Sequence, residues 1–167
     1  ESIYQWLRAS LVDTNTGQVY DNIRLDGRLS RRVYSYNEGT FVGAANCLGH
    51  TNDALLAADY SMNTMCRDRM MPRYGQNGDA GGFNGICARW IARFMKERHL
   101  EERYLAWLQA NADAAWASRR TSDNLSWSRW GEPTPDGPLY SWACSSAVGP
   151  SPVTSVSRSP FRLAGTR

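Results

Sequence analysis

Histidine is nearly absent from this chain, with two residues in 167, and the four cysteines form no Cys-x-x-Cys pair. His50 and His99 stand at the ends of apparent helices without ligand spacing, which argues against a zinc centre. No apolar run approaches the ~20 residues that a membrane-crossing helix needs. The net charge is only +3 and the arginines are dispersed. No basic run interleaves with aromatics, so a nucleic-acid groove is not indicated. Serine-nucleophile chemistry lacks its Gly-x-Ser-x-Gly turn. Adjacent aspartates are also missing. Glu101-Glu102 is the only adjacent acidic pair, and it reads as a helix start, where acids suit the helix dipole. Cys47, Cys66 and Cys87 fall in apolar helical patterns, where a thiol acts as a small hydrophobe, and disulfide pairing is left open. Nothing in these patterns calls for a cofactor.

What the chain does have is glycine in two dense places. Gly78-Asp79-Ala80-Gly81-Gly82-Phe83-Asn84-Gly85 runs into an amphipathic segment, and Tyr36-Asn37-Glu38-Gly39 precedes another. Glycine lets a backbone approach a ligand or a second helix closely. The polar side chains between the glycines would sit at helix N-termini, beside free N–H groups. Two such entrances, each with one carboxylate and one aromatic ring, suit the rim of a cleft for a polar, uncharged ligand such as a sugar.

The spacing of apolar residues is mainly helical. Residues 1–11 carry Ile3, Trp6 and Leu7 on one stripe. A strand from Gln18 to Ile23, an Asp26-Gly27 turn and a second strand from Leu29 predict a short hairpin. Helices follow over about 38–49, 53–66, 82–98 and 100–118, and a last one runs from Leu139 to Val148. The period is cleanest over Phe83, Ile86, Cys87, Trp90, Ile91 and Phe94. A Ser-, Trp- and Pro-rich loop occupies 121–139, and the Ser/Pro/Arg tail over 149–167 reads as disordered. Successive helical hairpins of this kind give a solenoid or a closed α/α toroid, and the β-hairpin and long loop favour the toroid.

These residues resemble glycoside hydrolase family 76, the α-1,6-mannanases. The resemblance lies in Tyr36-Asn37-Glu38-Gly39-Thr40-Phe41-Val42-Gly43-Ala44, Ala57-Ala58-Asp59-Tyr60, and Asp79 with Gly82-Phe83-Asn84-Gly85-Ile86. It continues through Asn111-Ala112-Asp113-Ala114-Ala115-Trp116 and Leu139-Tyr140-Ser141-Trp142. It implies an all-α fold, a partial (α/α)6 toroid over 1–148 that matches the C-terminal half of the family's domain. It further implies a mannan chain as partner, no cofactor, a secreted or cell-wall-associated protein, and a missing N-terminal half. That half would carry the adjacent Asp-Asp pair of a retaining mechanism. The family more often has Gln where Glu38 stands, and Cys and Lys where Ala80 and Asn84 stand. Gly149-Pro150 departs from the apolar residues with which the family's last helix continues.

The candidate substrate-binding residues are Tyr36, Asn37, Glu38, Asp79, Phe83, Asn84, Trp127 and Trp130. Each has a plainer role open to it. Asp79 and Glu38 could simply serve helix starts, and Tyr36 and Phe83 could be core. Trp127 and Trp130 lie in a polar loop where no stripe demands burial, so both are offered for stacking on sugar. Trp6, Trp90, Trp107 and Trp116 fit helix faces and are expected in the core. Asp59 shares a stripe with Leu55 and Met62 and is expected to be buried and paired. Two other classes fit the same helices: a non-catalytic helical-repeat interaction protein, and a sugar-binding remnant.

Overall fold

The computed structural model describes residues 1–148. The expected disordered tail over 149–167 lies outside them. Six α-helices are described: α1 (Ser2–Leu11), α2 (Ser35–Leu48), α3 (Thr51–Tyr60), α4 (Phe83–Arg98), α5 (Glu101–Ala117) and α6 (Ser141–Val148). Strands β1 (Asn22–Ile23) and β2 (Leu29–Ser30) pair antiparallel, with Asn22 opposite Ser30 and Ile23 opposite Leu29. The hairpin is shorter than its apolar run suggests, because the start of that run pairs elsewhere: Val19 bridges Val12, with the Tyr20 N–H donating to the Leu11 carbonyl at 2.8 Å. Gly27 makes its turn at a φ of 79°, a left-handed conformation that disfavours other residues.

Helices α2, α4 and α6 lie side by side in one layer, with α2 packed on α3 and α4 on α5. Their N-termini share one end, since Ser35 bonds Asn84 and Gly81 abuts Ala143. Helices α3 and α5 back this layer, joined to each other by Arg103 and Tyr104 on Asp59. Asp59 is thus paired, though half-buried rather than fully buried. The core between the layers is built from Val42, Cys87, Ile91, Phe94, Met95, Tyr104 and Trp107, all fully buried.

The glycines of α2 explain how closely the first layer packs. A β-carbon on Gly39 would stand 2.4 Å from the Cα of Cys87, and one on Gly43 would stand 2.5 Å from the Trp90 ring. Spaced four apart, these glycines line one face and let α4 approach backbone to backbone. Gly85 does the same toward α6, where a β-carbon would lie 2.6 Å from the Ser146 carbonyl oxygen. Much of the glycine density therefore serves helix–helix contact.

Several expectations are corrected here. Tyr36-Asn37-Glu38-Gly39 is not a loop before a helix; α2 begins at Ser35 and these residues form its first turn. The helix expected over 53–66 divides into α3 and a π-helical turn over Ser61–Met65, where the Ser61 hydroxyl donates to the Ala57 carbonyl at 2.9 Å. Gly78–Gly82 forms a 3-10 turn leading into α4. Trp6 and Trp116 are exposed at 57% and 64%, so only Trp107 of the four expected core tryptophans is fully buried. Trp116 is covered on one face by the Arg119 guanidinium at 3.9 Å. Cys47 is likewise exposed, on the outer side of α2.

Candidate functional site

The shared N-terminal end of α2, α4 and α6, here termed the mouth, carries a cluster of aromatic rings. Tyr36 and Phe83 meet with centroids 4.4 Å apart. Tyr34 and Tyr74 close on Phe83 from other sides at 5.5 and 5.2 Å. The Ser35 N–H donates to the Tyr74 hydroxyl at 2.9 Å, satisfying a helix-start donor that a water would otherwise take. Tyr36 is half-buried, and its hydroxyl donates to Asp21 Oδ1 at 3.1 Å. Burial, and then the Asp21 carboxylate, push the Tyr36 phenol above its ordinary value. Asn37 Nδ2 reaches the same carboxylate oxygen at 3.4 Å.

Asp79 projects from the 3-10 turn, is exposed, and has no side-chain partner among the described residues. Trp142 and Tyr140 stand at the start of α6, exposed at 57% and 53%. The Trp142 ring lies so near Gly82 that a β-carbon there would sit 3.3 Å from it. Flat aromatic faces flanked by a carboxylate, a phenol and an amide suit a pyranose, which has apolar C–H faces and a polar hydroxyl edge.

Of the residues offered from sequence, Tyr36, Asn37, Asp79 and Phe83 are brought to this mouth, although Phe83 shows only 9% of its surface. Glu38 is not at the surface. It points into the fold fully buried, and accepts the Val19 N–H on Oε1 at 2.8 Å. Its Oε2 has no partner. Burial pushes this carboxyl up to about 9, opposed only partly by the Val19 hydrogen bond, so it is neutral at physiological pH.

Asn84 is also buried, as a structural node. Its Oδ1 accepts the Ser35 hydroxyl at 2.9 Å and its Nδ2 donates to the Pro72 carbonyl at 2.8 Å. It thereby ties α2, α4 and the loop before the 3-10 turn together. Asn84→Ala would orphan both partners, so a loss of about 2 kcal/mol in unfolding free energy is expected. Denaturant titration checks this; unchanged stability would remove Asn84 from that role.

Trp130 contradicts the exposed placement offered for it. It is 98% buried, given its 2% exposure, and lines a cavity of about 420 Å³ with Met70, Met71, Arg73, Arg129 and Glu132. Trp127 is half-buried on the same loop. Its indole N–H donates to the Glu132 carbonyl at 3.0 Å, and Arg129 lies over its ring. The sequence reading missed Asp21, Tyr34, Tyr74 and Trp142. Only Trp142 had a local signal, an aromatic pair at a helix start after a proline-rich loop.

Among the described residues no group of three or more His, Cys, Asp or Glu side chains converges as metal ligands would. No described helix is long and apolar enough to cross a membrane.

No curated protein matches the chain. Solved structures do. An α-1,6-mannanase, GH76A of Salegentibacter sp. HEL1_6, is 28% identical with a TM-score of 0.73, over 89% of this chain and 48% of that one. An inactive variant of the same enzyme, with two consecutive aspartates replaced, was solved with α-1,6-mannotetrose and aligns at 27% identity and a TM-score of 0.77, with the same coverage. The Lin0763 protein of Listeria innocua shares the fold at 22% identity and a TM-score of 0.78, over 89% of this chain and 45% of that one. The chain thus spans about half the length of these relatives, which places its helices as a partial (α/α)6 toroid. The family model for glycosyl hydrolase family 76 matches residues 1–148, every residue described above, and this chain belongs to that family.

Proposed function

We propose that this chain forms half of the cleft of a glycosidase acting on α-1,6-linked mannan, with sugar rings seated at the mouth of α2, α4 and α6. The observation that carries this reading is the mouth itself: the Tyr36–Phe83 pair, with Asp79 and Trp142 exposed beside it. The α-1,6-mannanase likeness supports the substrate class.

Hydrolysis with retention needs two carboxyl groups about 5–5.5 Å apart across the bond. Asp21 is committed to Tyr36 and Asn37, Glu38 is buried and neutral, and no two aspartates are adjacent in the sequence. In this reading the acid and nucleophile come from the other half of the same domain. Exposed Ile3 and Trp6 on α1 are then the apolar seam that it covers. A polymeric mannan substrate fits a secreted or cell-wall-associated enzyme.

The test is titration of the purified 167-residue chain with α-1,6-mannotetraose, alongside a reducing-sugar assay. Binding without turnover is expected. Trp142→Ala should weaken binding about tenfold, or ~1.4 kcal/mol, because it removes the largest exposed ring at the mouth. Sustained oligosaccharide release would overturn the assignment of the catalytic pair to the other half. No binding, together with capture of a protein partner, would favour a helical-repeat interaction protein. Binding that never becomes turnover when the other half is supplied would mark a sugar-binding remnant.

A further inference from the structure

The hairpin that carries Asp21 to the mouth is rich in arginine, with four against two aspartates over 21–32. Arg24, Arg28, Arg31 and Arg32 fall in the span 24–32. Arg28 is paired with Asp26, Nε to Oδ2 at 2.9 Å. Arg24, Arg31 and Arg32 are exposed, and none has a carboxylate partner among the described residues. Arg31 is held at the root over the Tyr20 ring, 5.6 Å from its centroid. The Asp21 N–H donates to the Arg32 carbonyl at 2.9 Å, while the Asp21 carboxylate accepts the Tyr36 hydroxyl. Arg31 and Arg32 therefore leave the backbone directly behind the mouth. Arg24 lies three residues further out, about 10 Å along extended chain at ~3.3 Å per residue.

Three guanidinium groups on one short arm repel one another, and the two acids of the arm are engaged elsewhere, Asp26 with Arg28 and Asp21 with Tyr36 and Asn37. A guanidinium offers a fork of N–H donors that matches two oxygens of a phosphate. We propose that this hairpin is a recognition arm for phosphate groups carried on the mannan, so that the preferred ligand is an anionic, phosphorylated α-mannan rather than the neutral polymer. This rests on the sugar-binding reading of the mouth. A membrane surface fits less well, because two of the three unpaired arginines sit at the root beside the mouth, away from the tip at Leu25.

The test measures binding of the full chain to three probes: unsubstituted α-1,6-mannan, the same backbone phosphorylated, and the same backbone carboxylated by oxidation. At about 20 mM salt the phosphorylated polymer should bind roughly fivefold tighter or more, with the preference shrinking at about 150 mM as screening grows. The triple variant Arg24→Gln, Arg31→Gln, Arg32→Gln should abolish the preference and leave neutral-mannan affinity within about twofold. These side chains are exposed, so an unchanged thermal melt is the folding control. Equal wild-type affinity for neutral and phosphorylated mannan would overturn the arm, as would equal preference for the carboxylated polymer. Loss of anionic phosphatidylserine vesicle binding in the triple variant, with no preference among mannans, would reassign the hairpin to a membrane. Failure to bind any mannan would instead bring down the reading of the mouth, and the arm with it.

Discussion

Gly39→Ala is expected to lower the melting temperature by about 5–15 °C, a larger effect than any surface change in this chain. Two terms oppose each other. Alanine is favoured over glycine inside a helix by about 1 kcal/mol. Against that, the new methyl would fall 2.4 Å from the Cα of Cys87, which is backbone and cannot rotate away. The α2–α4 pair must then separate, loosening contacts around Val42, Cys87 and Ile91, all fully buried. Overpacking costs typically about 1–3 kcal/mol and occasionally more; with backbone forced to move, a cost of ~3–5 kcal/mol less the ~1 kcal/mol gained in propensity lets the clash win by ~2–4 kcal/mol. Circular-dichroism melts of the two proteins check it. A melt equal to or above wild type would show that α2 and α4 are not packed this closely.

Glu38→Gln should stabilise the protein above neutral pH and flatten its pH dependence. The carboxyl is raised from an ordinary 4.5 to about 9 by burial. With a folded value above the unfolded one, its contribution is fully present below about 4.5 and is lost as pH rises toward about 9. By pH 7 roughly 2.5 units of that window have been crossed, an order of 3 kcal/mol lost relative to pH 4. Glutamine keeps the Oε1 that accepts the Val19 N–H, and places an uncharged amide at the oxygen that lacks a partner. Urea titrations from pH 5 to 9 should show the wild type losing stability and the variant holding it. Parallel curves would mean that the carboxyl ionises freely. A tenfold fall in kcat/KM in the complete enzyme, with stability unchanged, would return Glu38 to the cleft.

Much of the architecture was legible in the sequence because helices advertise themselves locally. The stripe Phe83, Ile86, Cys87, Trp90, Ile91 and Phe94 predicted α4, and Phe83, Cys87, Ile91 and Phe94 are buried while Ile86 and Trp90 are partly so. The helix ends at His50 and His99 also stand near where they were read, with His99 in the left-handed conformation that closes α4. Family-type residues at 36–44 and 79–86 fall at the starts of α2 and α4, where Tyr36 and Phe83 are in contact.

Composition, periodicity and motif order by themselves determined that this is a helical chain of successive hairpins with a short β insertion and an aromatic, glycine-rich helix entrance. Only the tertiary structure decided which way each side chain in those entrances faces. Glu38 and Asn84 differ from their neighbours Asn37 and Phe83 by one helical step of about 100°, enough to turn one residue to the mouth and the next toward a neighbouring element. Sequence spacing does not say which neighbour lies on that side. Trp130 was drawn inward, and Trp6 and Trp116 left exposed, for the same reason: an apolar ring is buried where another element covers it, and the covering element is set by long-range packing rather than by the residues beside it.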